Sequence, residues 1–246
     1  VAEVIEAEDE APAGDRLERL VSVITPPAIG LAPRYRTGPN TPLGESTLLT
    51  NAHGEPSMGM EISRELDSAD EVDFLCAFIK FAGLRTMERE LRPIAQAGVP
   101  FRIITTTYMG ATERRALDWL VQEFGAQVKV HYESRSTRLH AKAWMFRRRT
   151  GFHTAYVGSS NLSRSALLDG LEWNVRITQA GTPHLLEKFR ATFDSYWNDP
   201  SFEDYDPAED GERLDEALLM AGGKTSSELV MDLSGLRHRP YPALRS

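Results

Sequence analysis

The sequence predicts an α/β fold in which helices pack on a mixed β-sheet, and three observations predict it. Apolar runs of strand length, bounded by turn residues, recur at 72–79, 99–105, 127–132, 139–146, 154–159 and 172–178. Segments with helical spacing, at about 58–69, 82–97 and 112–124, interleave with the first three of these runs. The last three runs then follow one another closely, so alternation gives way to neighbouring strands and the sheet must be mixed.

Taken in order, residues 1–40 are an acidic, Pro/Gly-rich lead-in ("EVIEAEDE") with one short helix expected around "DRLERLVSVI". Regular patterning starts at "TPLGESTLLT". The helix over 112–124 opens with Thr112 as its expected N-cap. A helix over 183–197 starts with a proline in its first turn and carries Leu186, Phe189, Phe193 and Trp197 at core spacing. The folded domain is expected to span 41–200, and 201–246 reads as an acidic segment and linker with one helical stretch, "GERLDEALLMAGG".

Composition narrows the function. With 246 residues, 41% of them hydrophobic, the chain can bury one good core. No signal peptide reads out at the N-terminus and no apolar stretch is long enough for a span, so a cytoplasmic protein without a membrane partner is expected. The single cysteine, Cys76 in "VDFLCAFI", reads as a buried core thiol and not a nucleophile. The net charge is −8, yet from His131 to Arg176 the basic residues Arg135, Arg138, Lys142, Arg147, Arg148, Arg149, Arg164 and Arg176 face only Glu133, Asp169 and Glu172. Such a local excess is either a solvated face or a phosphate-binding surface, and adjacent chemistry decides between them.

Two familiar chemistries drop out. "AGGKTS" at 221–226 resembles the end of a phosphate-binding loop, but position 218 is Leu where that loop needs glycine, and Gly222 and Gly223 read as a helix stop. The histidines form no i, i+4 pair, and none of the lysines has an acidic residue two positions before it, so no metal site and no cofactor are expected.

What remains is "RLHAKAWMFRRRTGFHTAYVGSSNLSRSALLDGLEWNVRIT". His140 and Lys142 stand two apart on one run, Gly158-Ser159-Ser160-Asn161 ends the next, and Glu172 begins a third. A strand could simply place His140 and Lys142 on a solvated face with Leu139, Ala141 and Ala143 turned inward. The flanking groups suggest more. A neutral imidazole can attack phosphorus, Lys142, Asn161 and Ser159 can donate to the non-bridging oxygens, and Glu172 can bond the second ring nitrogen of His140. Thr106 and Tyr108 in the sheet-end loop, with Ser160, Arg138 and Arg164, complete the set expected to touch substrate. Arg147, Arg148 and Arg149 read as a hairpin loop, either solvated or contacting a nucleic-acid backbone.

H-x-K followed by G-S-x-N resembles the phospholipase D superfamily, and Glu172, eleven residues past Asn161, resembles its bacterial nuclease and restriction-enzyme branch. With "FLCAFIKFAGL" and "TTTYMGATERRALDWL" upstream, residues 41–200 look like the nuclease-type domain at the front of bacterial DEAD/DEAH-box helicases. The resemblance implies a phospholipase D-like mixed sheet flanked by helices on both faces. It also implies a metal-independent phosphodiesterase acting on nucleic acid, DNA by the family branch, through a phosphohistidine on His140. Two departures stand out. The family's pattern has Asp five residues after the Lys, where this chain has Arg147. The superfamily also builds one site from two such motifs, and no histidine besides His140 has a lysine two residues on, which implies a homodimer. The terminal "RPYP" is similar to the segment leading into a helicase motor, so the motor is expected in the same full-length chain. The competing expectation is a catalytically quiet DNA-binding and dimerisation module, motivated by Arg147; lipid hydrolysis is disfavoured by the lack of an amphipathic basic helix.

Overall fold

The computed structural model describes residues 38–39, 41–52, 56–132, 139–168 and 172–222. The expected helix at 15–24, Arg138, the end of "AGGKTS" and the "RPYP" segment lie outside the described residues.

Eight strands form one mixed sheet: β1 (Thr47–Leu49), β2 (Glu71–Cys76), β3 (Phe101–Thr106), β4 (Gln127–His131), β5 (Lys142–Arg147), β6 (Thr154–Gly158), β7 (Asn174–Thr178) and β8 (Phe202–Asp204). Their order is β1-β7-β6-β5-β2-β3-β4-β8. β2, β3 and β4 are parallel, as the intervening helices require, and every other pairing is antiparallel. The helices are α1 (Met58–Ser68), α2 (Phe81–Thr86), α3 (Glu88–Gln96), α4 (Arg114–Phe124), α5 (Arg164–Leu168), α6 (Pro183–Trp197) and α7 (Gly211–Ala221).

Strand alternation divides the apolar residues between two cores. Val72, Phe74, Phe101, Ile103, Trp144, Phe146 and Tyr156 point to one face, where Ile62, Leu66, Leu84, Leu91, Leu117 and Leu120 cover them. Leu75, Ile104, Ala143, Met145, Ala155 and Ile177 point to the other and meet Leu186, Phe189 and Phe193 of α6, so helices flank both faces. Burying the core of this larger first face at about 25 cal/mol per Å² is the main source of stability.

Several boundaries depart from expectation for physical reasons. The segment expected as one helix over 82–97 divides at Met87. Gly83 lets α2 press on the chain at Leu162–Ser163, where a Cβ would meet the Leu162 carbonyl at 2.6 Å, while α3 packs on α1 and α4. Thr112 is not an N-cap. Its buried hydroxyl shares its one proton between the carbonyls of Ala77 (3.2 Å) and Thr106 (3.1 Å), tying the ends of β2 and β3 together, and Glu113 occupies the cap position. The strand expected over 139–146 begins only at Lys142, which leaves His140 ahead of it. Beyond residue 200, β8 adds an edge to the sheet beside β4, and α7 packs against α4. No helix among the described residues is long and apolar enough to cross a membrane.

Candidate active site

The topology brings six strand ends to one edge of the sheet. Cys76, the last residue of β2, pairs with Lys142, the first of β5; Gly158, the last of β6, pairs with Asn174, the first of β7; Thr106 pairs with His131 at the ends of β3 and β4. The sequence motifs therefore meet in space because antiparallel strands start where their neighbours stop.

Lys142 is 7% exposed and His140 beside it is exposed, so the pair does not lie on a solvated strand face. The Lys142 ammonium reaches back to donate to the His140 carbonyl (2.9 Å) and stands 3.0 and 3.1 Å from the two ring nitrogens. Burial depresses its pKa below the ordinary value of 10.5, while Cys76 and Glu172 pull it upward. Phe78 packs on this pair: its ring meets His140 edge-on at 5.7 Å, stacks on Tyr108 at 6.3 Å, and lies 6.0 Å from the Lys142 nitrogen.

The Gly158-Ser159-Ser160-Asn161 turn is held from three sides. A Cβ on Gly158 would meet the Trp173 carbonyl at 2.2 Å and the Asn174 side-chain oxygen at 2.4 Å, so only glycine permits this approach of β6 to β7. Ser160 and Asn174 bond each other through Asn174 Nδ2 to Ser160 Oγ (2.8 Å). Cys76 Sγ donates to the Phe78 carbonyl (3.3 Å), accepts from the Leu162 amide (3.4 Å) and lies 3.8 Å from Asn161 Oδ1. Ser159 donates to Glu172 and accepts from the Trp173 amide (3.0 Å).

Of the residues singled out from sequence, His140, Lys142, Ser159, Asn161 and Glu172 gather at this edge. Glu172 accepts from Ser159, where a bond to His140 was expected. Tyr108 joins through Phe78. Thr106 and Ser160 serve the fold. Thr106 is buried, donates to the His131 carbonyl (3.0 Å) and accepts from the Tyr108 amide (3.1 Å), and the Ser160 hydroxyl is taken by Asn174. Arg164 is exposed at the start of α5. Reasoning from sequence missed Phe78, Asn174 and the bridging part played by Cys76. The reading of Cys76 as a buried thiol stands: burial pushes its pKa to about 11.

Arg147, Arg148 and Arg149 sit at the opposite edge, five residues of strand and about 16 Å from Lys142. Arg147 pairs with Glu71 (2.6 Å) and Asp73 (3.3 Å), Arg149 with Asp70 (3.4 Å), and Arg148 is buried against Glu65. Arg147 and Arg148 are thus engaged in the fold, while Arg149 is 71% exposed, and all three lie at the end of β5 away from Lys142.

The chain belongs to the phospholipase D-like family: the model described as "Cardiolipin synthase, PLD-like domain" matches residues 62–197, more than half of its length. Among solved structures it is similar to NucT from Helicobacter pylori, with a TM-score of 0.52 and 13% identity over 65% of this chain and 99% of that one. It is also similar to Nuc from Salmonella typhimurium, a phospholipase D family member, with a TM-score of 0.50 and 19% identity over the same shares. At these identities the likeness shows the fold, which is the phospholipase D-like one. Comparison with curated proteins returns no match.

Proposed function

We propose that this chain is a metal-independent phosphodiesterase that hydrolyses nucleic acid, DNA in the first instance, through a phosphohistidine on His140. The observation that carries the reading is the convergence of His140, Lys142, Ser159, Asn161 and Glu172 on one sheet edge, with a buried lysine folded onto an exposed imidazole. A buried ammonium is costly unless it has a role or a partner, and here it stands where a phosphate oxygen would lie beside the attacking ring.

In the first step the neutral His140 ring attacks phosphorus, the N–P bond forms and the bond to the leaving oxygen breaks. A second imidazole gives that oxygen its proton. In the second step that imidazole takes a proton from water, the water oxygen attacks phosphorus, and the N–P bond breaks. Lys142 and Asn161 donate to the non-bridging oxygens throughout, and Glu172, through Ser159, steadies the edge. The Phe78–Tyr108 stack offers ring faces beside His140 for a nucleobase. One ring cannot attack and protonate at once, so the second imidazole is His140 of another copy.

The wider context is proposed on sequence resemblance alone: a cytoplasmic, helicase-linked repair or defence protein, with this domain ahead of the motor. The competing reading is a catalytically quiet DNA-binding and dimerisation module, motivated by Arg147 in place of the family's Asp; DNA binding with no phosphoprotein trapped under denaturing conditions would favour it.

Cleavage of end-labelled single- and double-stranded DNA in excess EDTA tests the reading. Cleavage by the wild type, lost in His140→Ala, with a denaturation-stable phosphoprotein in the wild type only, is the expected result. Unchanged cleavage in His140→Ala would overturn it.

A further inference from the structure

Four large apolar side chains lie bare on the face of the sheet that α6 covers elsewhere. Trp173 is 67% exposed, Val175 46%, Val157 45% and Leu48 42%. Leu48 pairs with Val175 and Val175 with Val157, so the three form one cross-strand row over β1, β7 and β6, and Trp173 stands two residues from Val175 on the same side. The row is bare because of where α6 runs. Leu186 and Phe189 cover Ile177, Ala155 and Met145 toward the far edge, and Phe193 then covers Ala143, Leu75 and Ile104 on the central strands. The site-side corner of β1, β7 and β6 is left over.

That corner adjoins the site. The Trp173 amide donates to Ser159, Ser159 donates to Glu172, and the Glu172 charge acts on Lys142, which touches His140. We propose that the row Leu48–Val175–Val157, with Trp173 beside Val175 on the site side, is the surface through which two copies of this chain meet.

The inference rests on the two-imidazole reading above, which requires a second copy to approach this edge of the sheet. A two-fold interface must be self-complementary, and a row of uncharged apolar groups meets itself without repulsion. β-branched and leucine side chains also suit protein packing, whereas nucleic acid would call for cations along the row, and none of the four positions carries one. A stable interface buries about 800 Å² per partner, so the row supplies the apolar centre and the polar surface around Ser159 and Glu172 the rim. The partner thus closes the site as well as supplying its second imidazole, and Trp173 lies beside the seam.

The test is sedimentation and DNA cleavage of the full chain carrying Val175→Glu, with Val175→Thr as the β-branched control. Position 175 is exposed, and circular dichroism checks that both variants fold. The expected result is a dimer that dissociates at concentrations at least about 100-fold higher in Val175→Glu, because two-fold symmetry brings one carboxylate from each copy into the interface, with cleavage lost in parallel and Val175→Thr close to wild type. A Val175→Glu protein that stays as tightly dimeric as the wild type would overturn the surface and leave the two-imidazole reading standing. A monomeric Val175→Glu protein with undiminished cleavage would uphold the surface and overturn that reading. A wild type that is monomeric with Trp173 shielded from quenchers would assign the row to another part of the same chain and overturn the proposal.

Discussion

Where β5 ends, Arg147, Arg148 and Arg149 meet Glu71, Asp73, Glu65 and Asp70; where β5 begins, His140 and Lys142 meet Phe78, which stacks on Tyr108, and Lys142 pairs with Cys76. At the first end each cation has a carboxylate, and Glu65 holds the centre of a buried cluster. It accepts from Arg148, Thr154 (2.8 Å), Tyr156 (2.7 Å) and Arg176 (3.0 Å). At the second end the lysine has an imidazole, a carbonyl and an aromatic ring, and its carboxylate neighbour Glu172 is taken by a serine. The charges at the first end are thus matched by opposite charges, buried at Glu65 and Arg148 and exposed at Arg149, while the Lys142 ammonium is set among neutral groups of His140 and Phe78.

The largest contrast is obtained by exchanging damage between the ends. Glu65→Ala leaves two buried guanidinium groups without their carboxylate and should cost about 3–5 kcal/mol in denaturant unfolding. His140→Ala should leave that stability unchanged and lower cleavage by at least about 10³-fold. Equal losses of stability in the two variants would erase the distinction. Acid sharpens it. Burial raises the Glu65 pKa, but the attraction of Arg148 and Arg176 and hydrogen bonds from Arg148 and Tyr156 outweigh it, so the folded value lies below 4.5. The contribution of Glu65 is therefore whole above 4.5 and is lost as the pH falls through the lower folded value, a dependence that Glu65→Gln should flatten in pH-resolved unfolding.

Lys142→Met should lower turnover by about 10²–10³-fold with little change in DNA affinity. Because the wild-type Lys142 pKa is depressed, the alkaline limb of the rate profile should fall below 10.5, and Lys142→Arg should remove it. Gly158→Ala, which forces a Cβ against the Trp173 carbonyl, should cost about 1–3 kcal/mol and displace Ser159, read as lower stability together with a raised KM. Smallest of all, Arg149→Ala removes an exposed pair with Asp70 and should leave the unfolding midpoint where it is.

How much was legible follows the span of each contact. His140–Lys142 and Ser159–Asn161 are local spacings on adjoining strands, so their convergence could be read from the chain. The contact of Cys76 with Asn161 crosses 85 positions, and a cysteine among apolar neighbours gives no sign of such a partner. Arg148 sits in a triple-arginine run that reads as a turn, and only Glu65, 83 positions away, makes it core. Thr106 and Ser160 have hydroxyls suited to a phosphate, and pairing across the sheet edge claims both. β1 and β8 have three residues each, too few for periodicity to show.

The central claim is that one catalytic site uses His140 from two chains. Wild type and His140→Ala, folded together in equal amounts and allowed to exchange, test it most directly through the cleavage rate at fixed total protein. If mixed dimers are inactive, the rate should fall to about one quarter of the wild-type value; a fall to about one half would mean that each chain works alone and would contradict the account.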